Sequence, residues 1–341
     1  MQESDLSFFS VVLLWSAMAV YALAFIAFAM DLARRSADAG RVRAGEPELV
    51  TASAAGTASA AGTASAVGGV ARPPRAARRG NTGPEVTASL SPSLRVGVVL
   101  TVLGFLLHLG ATVLRGVDAE RVPWANMYEF AMTGTLMIVL VFLVVLTRSD
   151  LRFLGTFVIG LVLVLLGASA VNFYVEVVPL PPALQSAWLI IHVFVATLGT
   201  AFFALGFALS ALQLVQDRRE RSDKPVGEQW LKFLATLPGS ERLENLAYRV
   251  NIIGFILWTF TLIAGAIWAE KAWGRYWGWD TKEVWTFIIW VLYAGYIHAR
   301  ATKGWRGTRS AWLAIVGFIA VIFNFTIVNM FFDGLHSYSG L

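Results

Sequence analysis

The chain has 341 residues, of which 57% are hydrophobic and 14% are charged. A single soluble core of this size does not need so apolar a composition, so we expect the chain to lie in a membrane. Its net charge of +5 comes from clusters of Lys and Arg between apolar segments, without a continuous basic face, which argues against nucleic-acid binding. The absence of cysteine excludes thiol–disulfide exchange and iron–sulfur ligation by the chain itself.

The apolar segments predict the fold class. About 20 apolar residues cross the hydrocarbon core of a bilayer. We therefore predict an all-α, polytopic transmembrane helix bundle of about eight spans. The predicted spans are Leu6–Met30, Val96–Leu114, Met127–Leu146, Phe153–Val171, Ala187–Val215, Val250–Trp268, Val284–Ala299 and Ala311–Phe332. The first segment is longer than a signal peptide and lacks a basic start and a small-residue cleavage site, so we expect it to remain as a span.

A linker separates the first span, residues 1–30, from a membrane domain at residues 95–341. Residues 31–94 include the repeat TASAAG-TASAAG-TASAVG at Thr51–Gly68, followed by ARPPRAARRG. Nearly without large apolar residues, this stretch is predicted to be a disordered basic linker. The alternative is a segment that docks a partner or lipid headgroups through Arg72, Arg75, Arg78 and Arg79.

The basic residues of the short loops predict the orientation. Alternate loops carry most of them: Arg148, Arg152, Arg218, Arg219, Arg221, Lys224, Arg300, Lys303, Arg306 and Arg309. That side, with the linker, is predicted to be cytoplasmic. The opposite loops contain fewer basic residues, although Arg121, Lys271 and Arg275 occur there. They are predicted to face outward.

A tryptophan-rich segment at residues 268–285, between the sixth and seventh spans, is predicted to form an outward loop. Trp and Tyr are common at membrane interfaces, and Asp280 with Glu283 has the spacing of a helix N-cap and its partner. Those roles do not explain so many aromatic residues interleaved with glycine. The pattern also suits a broad surface on which a flat, apolar ligand with polar edges could stack.

Histidines within or beside spans are candidates for function. His192 lies near the outer start of the fifth span and His336 follows the eighth, so the predicted topology places both beside the tryptophan loop. Imidazole suits iron, zinc and copper, and haem iron takes axial histidines. Zinc is the weaker candidate, because the chain has no cysteine and no obvious third ligand accompanies the two histidines. The alternative is that each is a hydrogen-bonded interfacial histidine. His298 lies near the cytoplasmic end of the seventh span, and His108, in the second, has the position of a helix–helix contact.

The stretch Arg121–Glu129 leads into the third span with a basic residue, an amide and a carboxylate. One interpretation is a helix cap with an interface anchor. The other is a polar rim for the loop, or an Arg121 contact with a haem propionate.

The segment WGRYWGWDTKEVW at Trp273–Trp285 resembles the WWD signature of haem-handling proteins in cytochrome c biogenesis, with the CcsA/ResC type as the best match. The similarity covers approximately Val96–Leu341. It implies that His192 and His336 are outer axial ligands of haem iron and that His298 is a ligand within the membrane. The haem-binding residues that it implies in the WWD segment are Trp273, Trp277, Trp279 and Asp280.

The resemblance also implies a function. It is the translocation and presentation of haem b and its ligation to apocytochrome c on the outer face, as a subunit of a System II cytochrome c synthase. The implied partners are a CcsB/ResB-type membrane protein, an apocytochrome with a CXXCH motif and a thioredoxin-like thiol reductant. The implied location is the plasma membrane, in contact with its lipid, with the haem site on the extracytoplasmic side.

Three alternatives remain at this point. A System I-like haem-delivery protein also carries a WWD loop between histidines, but eight spans and a third histidine argue against it. A transporter of another apolar substrate would show inverted repeats and broken midplane helices, and the spans show no convincing repeat. A scaffold without cofactor would be colourless when purified.

Overall fold

The computed structural model describes residues 5–44, 91–180, 182–222, 232–302, 304–332 and 334–336. Within these ranges the protein is all-helical and contains no strand. The α-helices are α1 (Asp5–Ala44), α2 (Pro92–Asp118), α3 (Met127–Leu146), α4 (Gly155–Asn172), α5 (Ala187–Glu220), α6 (Ser240–Trp273), α7 (Thr281–Thr302), α8 (Thr308–Phe325) and α9 (Ile327–Phe331). Short 3₁₀ turns occupy Arg152–Leu154, Pro182–Leu184 and Lys232–Thr236.

The predicted polytopic helix bundle is confirmed. Seven helical segments of the described chain are long and apolar enough to cross a membrane: α1, α2, α3, α4 with its preceding turn, α5, α6, and α8 with α9. The eighth predicted span corresponds to α7, which has 22 residues but is less apolar because it contains Trp, Tyr, His298 and Arg300. The protein is therefore a multi-pass membrane protein, and the crossing by α7 stays a prediction.

The region of the predicted linker is described only at its two ends. Helix α1 continues to Ala44, well beyond the predicted end of the first span at Met30. Helix α2 begins at Pro92, and the Ser91 hydroxyl accepts a hydrogen bond from the backbone N–H of Leu94, as expected of an N-cap. The repeat and the arginines after it lie outside the described residues.

Aromatic side chains fill the interior of the bundle. Phe203 of α5 stacks on Tyr293 of α7, with ring centroids 3.6 Å apart and planes 7° from parallel. In α2, His108 is fully buried, and its Nδ1 lies 3.4 Å from the Tyr21 hydroxyl of α1. This contact supports the interpretation of His108 as a link between helices. Such packing, rather than hydrophobic burial, holds helices together in lipid.

Candidate functional site

The tryptophan-rich loop is shorter than predicted. Helix α6 continues through Trp268 to Trp273 and ends at Gly274, which adopts the left-handed conformation with φ of 70°. Helix α7 begins at Thr281, so the irregular segment covers residues 274–280 rather than 268–285. The reason is local. Tryptophan does not terminate a helix, so α6 continues to the first residue that easily adopts the left-handed conformation of a C-cap, which here is Gly274.

His192 is held between α5 and α6. Its ring stacks on Trp268, with centroids 5.8 Å apart and planes 17° from parallel. Its Nδ1 lies 3.0 Å from the backbone carbonyl oxygen of Thr261. Because a carbonyl can only accept a hydrogen bond, we assign the proton to Nδ1. The Nε2 lone pair is then free to coordinate a metal.

His336 is held by a carboxylate. Its Nδ1 donates to Asp280 Oδ2 at 2.7 Å, and the backbone N–H of Leu335 donates to Asp280 Oδ1 at 3.2 Å. The hydrogen bond from His336 keeps the pKa of the Asp280 carboxyl below its usual range. Asp280 therefore stays ionised and orients His336, again with Nε2 as the remaining ligand atom.

Tryptophans pack around both imidazoles. The Trp268 ring centroid lies 5.4 Å from that of His336, so the same buried indole contacts both histidines. Trp273 meets His336 edge-on at 4.7 Å. The predicted convergence of the two histidines beside the tryptophan segment is therefore present in the structure.

Both histidines line one cavity of about 220 Å³, here called the main cavity. Its walls come from α3, α4, α5, α6, α7 and α8 and are mostly apolar, and Tyr276 and Trp277 of the loop also line it. A smaller space of about 90 Å³, the side cavity, shares His192 and His336 and adds Trp124, Asn126 and Trp268.

The comparisons with known proteins place the chain in a family. Residues 124–336 match the family described as "Cytochrome C assembly protein". The chain belongs to this family. It is 35% identical over 263 residues to "Cytochrome c biogenesis protein CcsA" of Guillardia theta, which covers 70% of this chain and 87% of that protein. The protein of the same name from Synechococcus sp. (strain CC9902) is 35% identical over 273 residues, 73% of this chain and 89% of that one. This is a CcsA-type cytochrome c biogenesis protein.

A solved structure shares the fold. "Cytochrome c Heme Lyase CcmF" superposes with a TM-score of 0.59 at 14% sequence identity, over 95% of this chain and 47% of that chain. The CcsA-type chain thus spans just under half the length of that protein. At this identity the likeness concerns the helical architecture alone.

Three polar side chains of the site were not among the predicted ligands. Lys282 lines both cavities, and its Nζ donates to Asn329 Oδ1 of α9. Asn126 lines the side cavity, where its Oδ1 caps α3 by accepting the N–H of Glu129. Glu283 Oε2 accepts the backbone N–H of Gly278 at 2.8 Å. Polar residues beside a span are usually caps and anchors, so the sequence did not distinguish them.

Two predicted site residues, Trp279 and His298, neither line the two cavities nor contact His192 or His336, whereas Trp273 and Asp280 lie outside the cavities but contact His336. Trp279 is 77% exposed and meets Trp277 edge-on, with centroids 5.9 Å apart, whereas Trp277 lines the main cavity. His298 is exposed near the other end of α7. The helical rise puts His298 about 24 Å along the axis from Lys282, which lines the main cavity. The structure therefore separates His298 from the pair formed by His192 and His336.

Arg121 and Glu129, the charged residues of the stretch that leads into α3, belong to a buried ion cluster and not to a cavity wall. Glu129 is fully buried and pairs with Arg121 at 2.6 Å and with Arg115 of α2 at 3.1 Å. Arg115 also donates to the carbonyl of Val175 at 2.7 Å. Neither arginine lines the main or the side cavity. The cap interpretation of this stretch is supported by Asn126, whose Oδ1 accepts the N–H of Glu129, and Arg121 donates to Glu129 and does not line a cavity.

Proposed function

We propose that this CcsA-type protein holds haem b between His192 and His336 on the outer face of the plasma membrane and presents it to apocytochrome c. In this proposal it is a subunit of a System II synthase and acts with a CcsB/ResB-type partner. One observation carries the proposal: the two imidazoles line one apolar cavity, and each uses Nδ1 for a protein acceptor and keeps Nε2 for a metal.

The donor set suits haem better than a bare ion. Zinc needs three or four protein ligands, and within the described ranges no group of three or more His, Cys, Asp or Glu side chains could hold a metal ion. A porphyrin brings four nitrogens to its iron and needs only two axial ligands. The aromatic and aliphatic walls around His192 and His336 suit its flat apolar body.

The positive-inside rule supports the orientation. The ends of the helices opposite the cavities carry Arg218, Arg219 and Arg300, and the histidine pair lies at the less basic end. Haem loaded from the cytoplasmic side would therefore have to cross the bundle to reach the pair. His298, exposed on α7, is proposed as a ligand on that route, with a partner supplying the opposite ligand.

The covalent step that we propose is an addition. For each cysteine of CXXCH, the S–H bond and the π bond of a haem vinyl group break. A C–S bond and a C–H bond form, with the proton on the terminal vinyl carbon, so no oxidant or reductant is consumed. The proposal assigns no acid or base of this chain to the step; holding the vinyl group beside the thiol is the contribution of the site.

The test is the absorption spectrum of the protein, coexpressed with a CcsB-type partner and purified in detergent. We expect sharp reduced bands of low-spin haem. His192→Gly and His336→Gly should each weaken or shift them, and added imidazole should restore them, which a purely structural role would not allow. A colourless parent from haem-replete cells, or unchanged spectra in both variants, would overturn the proposal. Covalent haem on a reporter cytochrome separates a synthase from a carrier that only delivers haem.

A further inference from the structure

Lys282 places a cation in the wall that the two cavities share. It lies in the first turn of α7, two residues after Asp280, and lines both the main cavity and the side cavity. Its Nζ contacts the neutral Oδ1 of Asn329. Among the described residues no carboxylate lies within 4 Å of this Nζ. An ammonium carries three donors and no acceptor, so the contact with Asn329 leaves Lys282 with donors for a ligand.

Asn126 adds a second donor on the side-cavity wall. The residue is 5% exposed, and its Oδ1 caps α3. Its Nδ2 is buried and has no hydrogen-bond partner among the described residues. A buried donor without a partner is unfavourable and is rare in native proteins. Because Asn126 lines the side cavity, a ligand bound there is the candidate partner for this donor.

The chemistry of these donors identifies the kind of group that would bind. An ammonium and an amide N–H₂ together suit an anion with at least two acceptor oxygens, such as a carboxylate. The remaining walls near them are apolar, with Trp124, Leu184 and Phe130 among them. A ligand for this site thus has an anionic edge on an apolar body. Haem b fits that description, because its two propionates lie on one edge of the macrocycle.

We propose that Lys282 Nζ and Asn126 Nδ2 bind a propionate carboxylate of the haem that His192 and His336 ligate. The inference rests on the proposed function and deepens it. Axial ligands alone leave the porphyrin free to rotate about the axis through the iron. A propionate held at Lys282 stops that rotation and turns the opposite, vinyl-bearing edge away from the side cavity. Lys282 is thus a positioning residue for the vinyl groups.

The test compares two ligands that differ at the propionates, which are anionic carboxylates in haemin and neutral methyl esters in its dimethyl ester. The purified full-length protein is titrated with haemin and with haemin dimethyl ester, and binding is followed by absorption. We expect the parent to prefer haemin by about tenfold or more, the size of a charge-assisted hydrogen bond. Lys282→Met should bring the ratio close to one, whereas Lys282→Arg should keep most of it. The matched control is Lys271→Met, which removes an exposed cation paired with Glu270 beside the same loop and should leave the ratio unchanged.

Asn126→Asp provides a second variant, chosen to keep the cap of α3. The aspartate keeps the oxygen that caps α3, but it replaces the Nδ2 donor by an anionic oxygen. We expect haemin to bind at least tenfold more weakly and the dimethyl ester to be affected little. Equal loss for both ligands would show that the residue acts on the fold rather than on a carboxylate.

The outcomes distinguish this inference from the proposed function. A parent that binds neither ligand contradicts the function itself. A parent that binds both equally, or a Lys282→Met protein that still prefers haemin, overturns the propionate site and leaves the function standing. A lipid phosphate has similar chemistry, so the titration is repeated in nanodiscs of zwitterionic and of anionic lipid. A preference for haemin that anionic lipid abolishes would assign Lys282 to a headgroup and would also overturn the inference.

Discussion

The two imidazoles of the site are oriented by different acceptors. His192 Nδ1 faces the neutral carbonyl of Thr261, and His336 Nδ1 faces the carboxylate of Asp280. A carboxylate makes an imidazole a more basic ligand than a carbonyl does. If both bind iron, His336 is the stronger ligand, and His192 is the one that the histidine of CXXCH would displace. In the proposed function, this asymmetry would let the site release the iron on the His192 side while holding it on the His336 side.

Asp280→Asn tests that asymmetry. The amide keeps an oxygen for the N–H of Leu335 but loses the charge that faces His336. We expect haem affinity to fall by about tenfold to a hundredfold, the usual effect of removing such an outer partner. The midpoint potential should rise, because a less basic ligand stabilises ferric iron less. Spectral titration and a redox titration measure the two effects.

Asp150→Asn is the control for Asp280→Asn. Asp150 is also paired, with Arg152 at 2.6 Å, but its side chain is 60% exposed and lies outside both cavities. An exposed pair of this kind contributes about 0–1 kcal/mol. Equal effects of the two substitutions, or an unchanged midpoint potential in Asp280→Asn, would remove Asp280 from the ligand assembly.

The sequence predicted the residues of this pair better than their contacts. The placement of His192 and His336 on the same side follows from topology alone. The loop charges put the start of the fifth span and the end of the eighth on that side. Asp280 was interpreted as a helix cap as well as a haem-binding residue. Its carboxylate binds a histidine 56 positions later in the chain, which no local pattern encodes. Lys282 was not predicted for the same reason, and Asn126 was predicted only as the amide of a cap or polar rim.

At the scale of elements, the position of His192 depends on how closely α5 approaches α6. Gly265 of α6 lies directly against the imidazole: a Cβ added there would lie 2.7 Å from His192 Cε1 and 2.9 Å from Nδ1. Both distances are shorter than van der Waals contact. The glycine therefore leaves room for the ring to reach the Thr261 carbonyl one helical turn earlier on α6.

Gly265→Ala should displace the His192 ring without unfolding the bundle. Alanine favours a helix over glycine by up to about 1 kcal/mol, so the protein should still accumulate and remain inserted. We expect the low-spin haem bands to lose at least half their intensity. The control is Gly295→Ala in α7, where an added Cβ meets nothing within 4 Å. An unchanged spectrum in Gly265→Ala would show that His192 is not held as described.

Elements were easier to predict than their ends. Each predicted span has a helix in the structure, because about 20 apolar residues in lipid must satisfy their backbone within the segment. The ends depend on single residues. Trp273 stayed helical, and Gly274 terminated α6. The loop was therefore predicted too long.

At the scale of the whole molecule, α7 connects two regions of different character. Its first turn carries Lys282 and Glu283 into the main cavity, and its last turns carry exposed His298. About 24 Å of helix separates these ends, more than the width of one porphyrin. A haem ligated by His298 therefore cannot touch His192 or His336 at the same time. In the proposed function, transfer would therefore use two stations, and the inner one would take its second ligand from the partner.

His298→Ala should consequently behave differently in the lone chain and in the complex. In the lone chain no partner supplies a second ligand opposite His298, so His298 should not hold haem there. The variant should therefore bind haem supplied from outside with the same affinity as the parent. With a CcsB-type partner, haem made in the cell should fill the outer site less, and covalent haem on a reporter cytochrome should fall at least tenfold. Adding haemin to the outer face should bypass the defect. If the lone variant loses haem equally, His298 supports the fold rather than the transfer route.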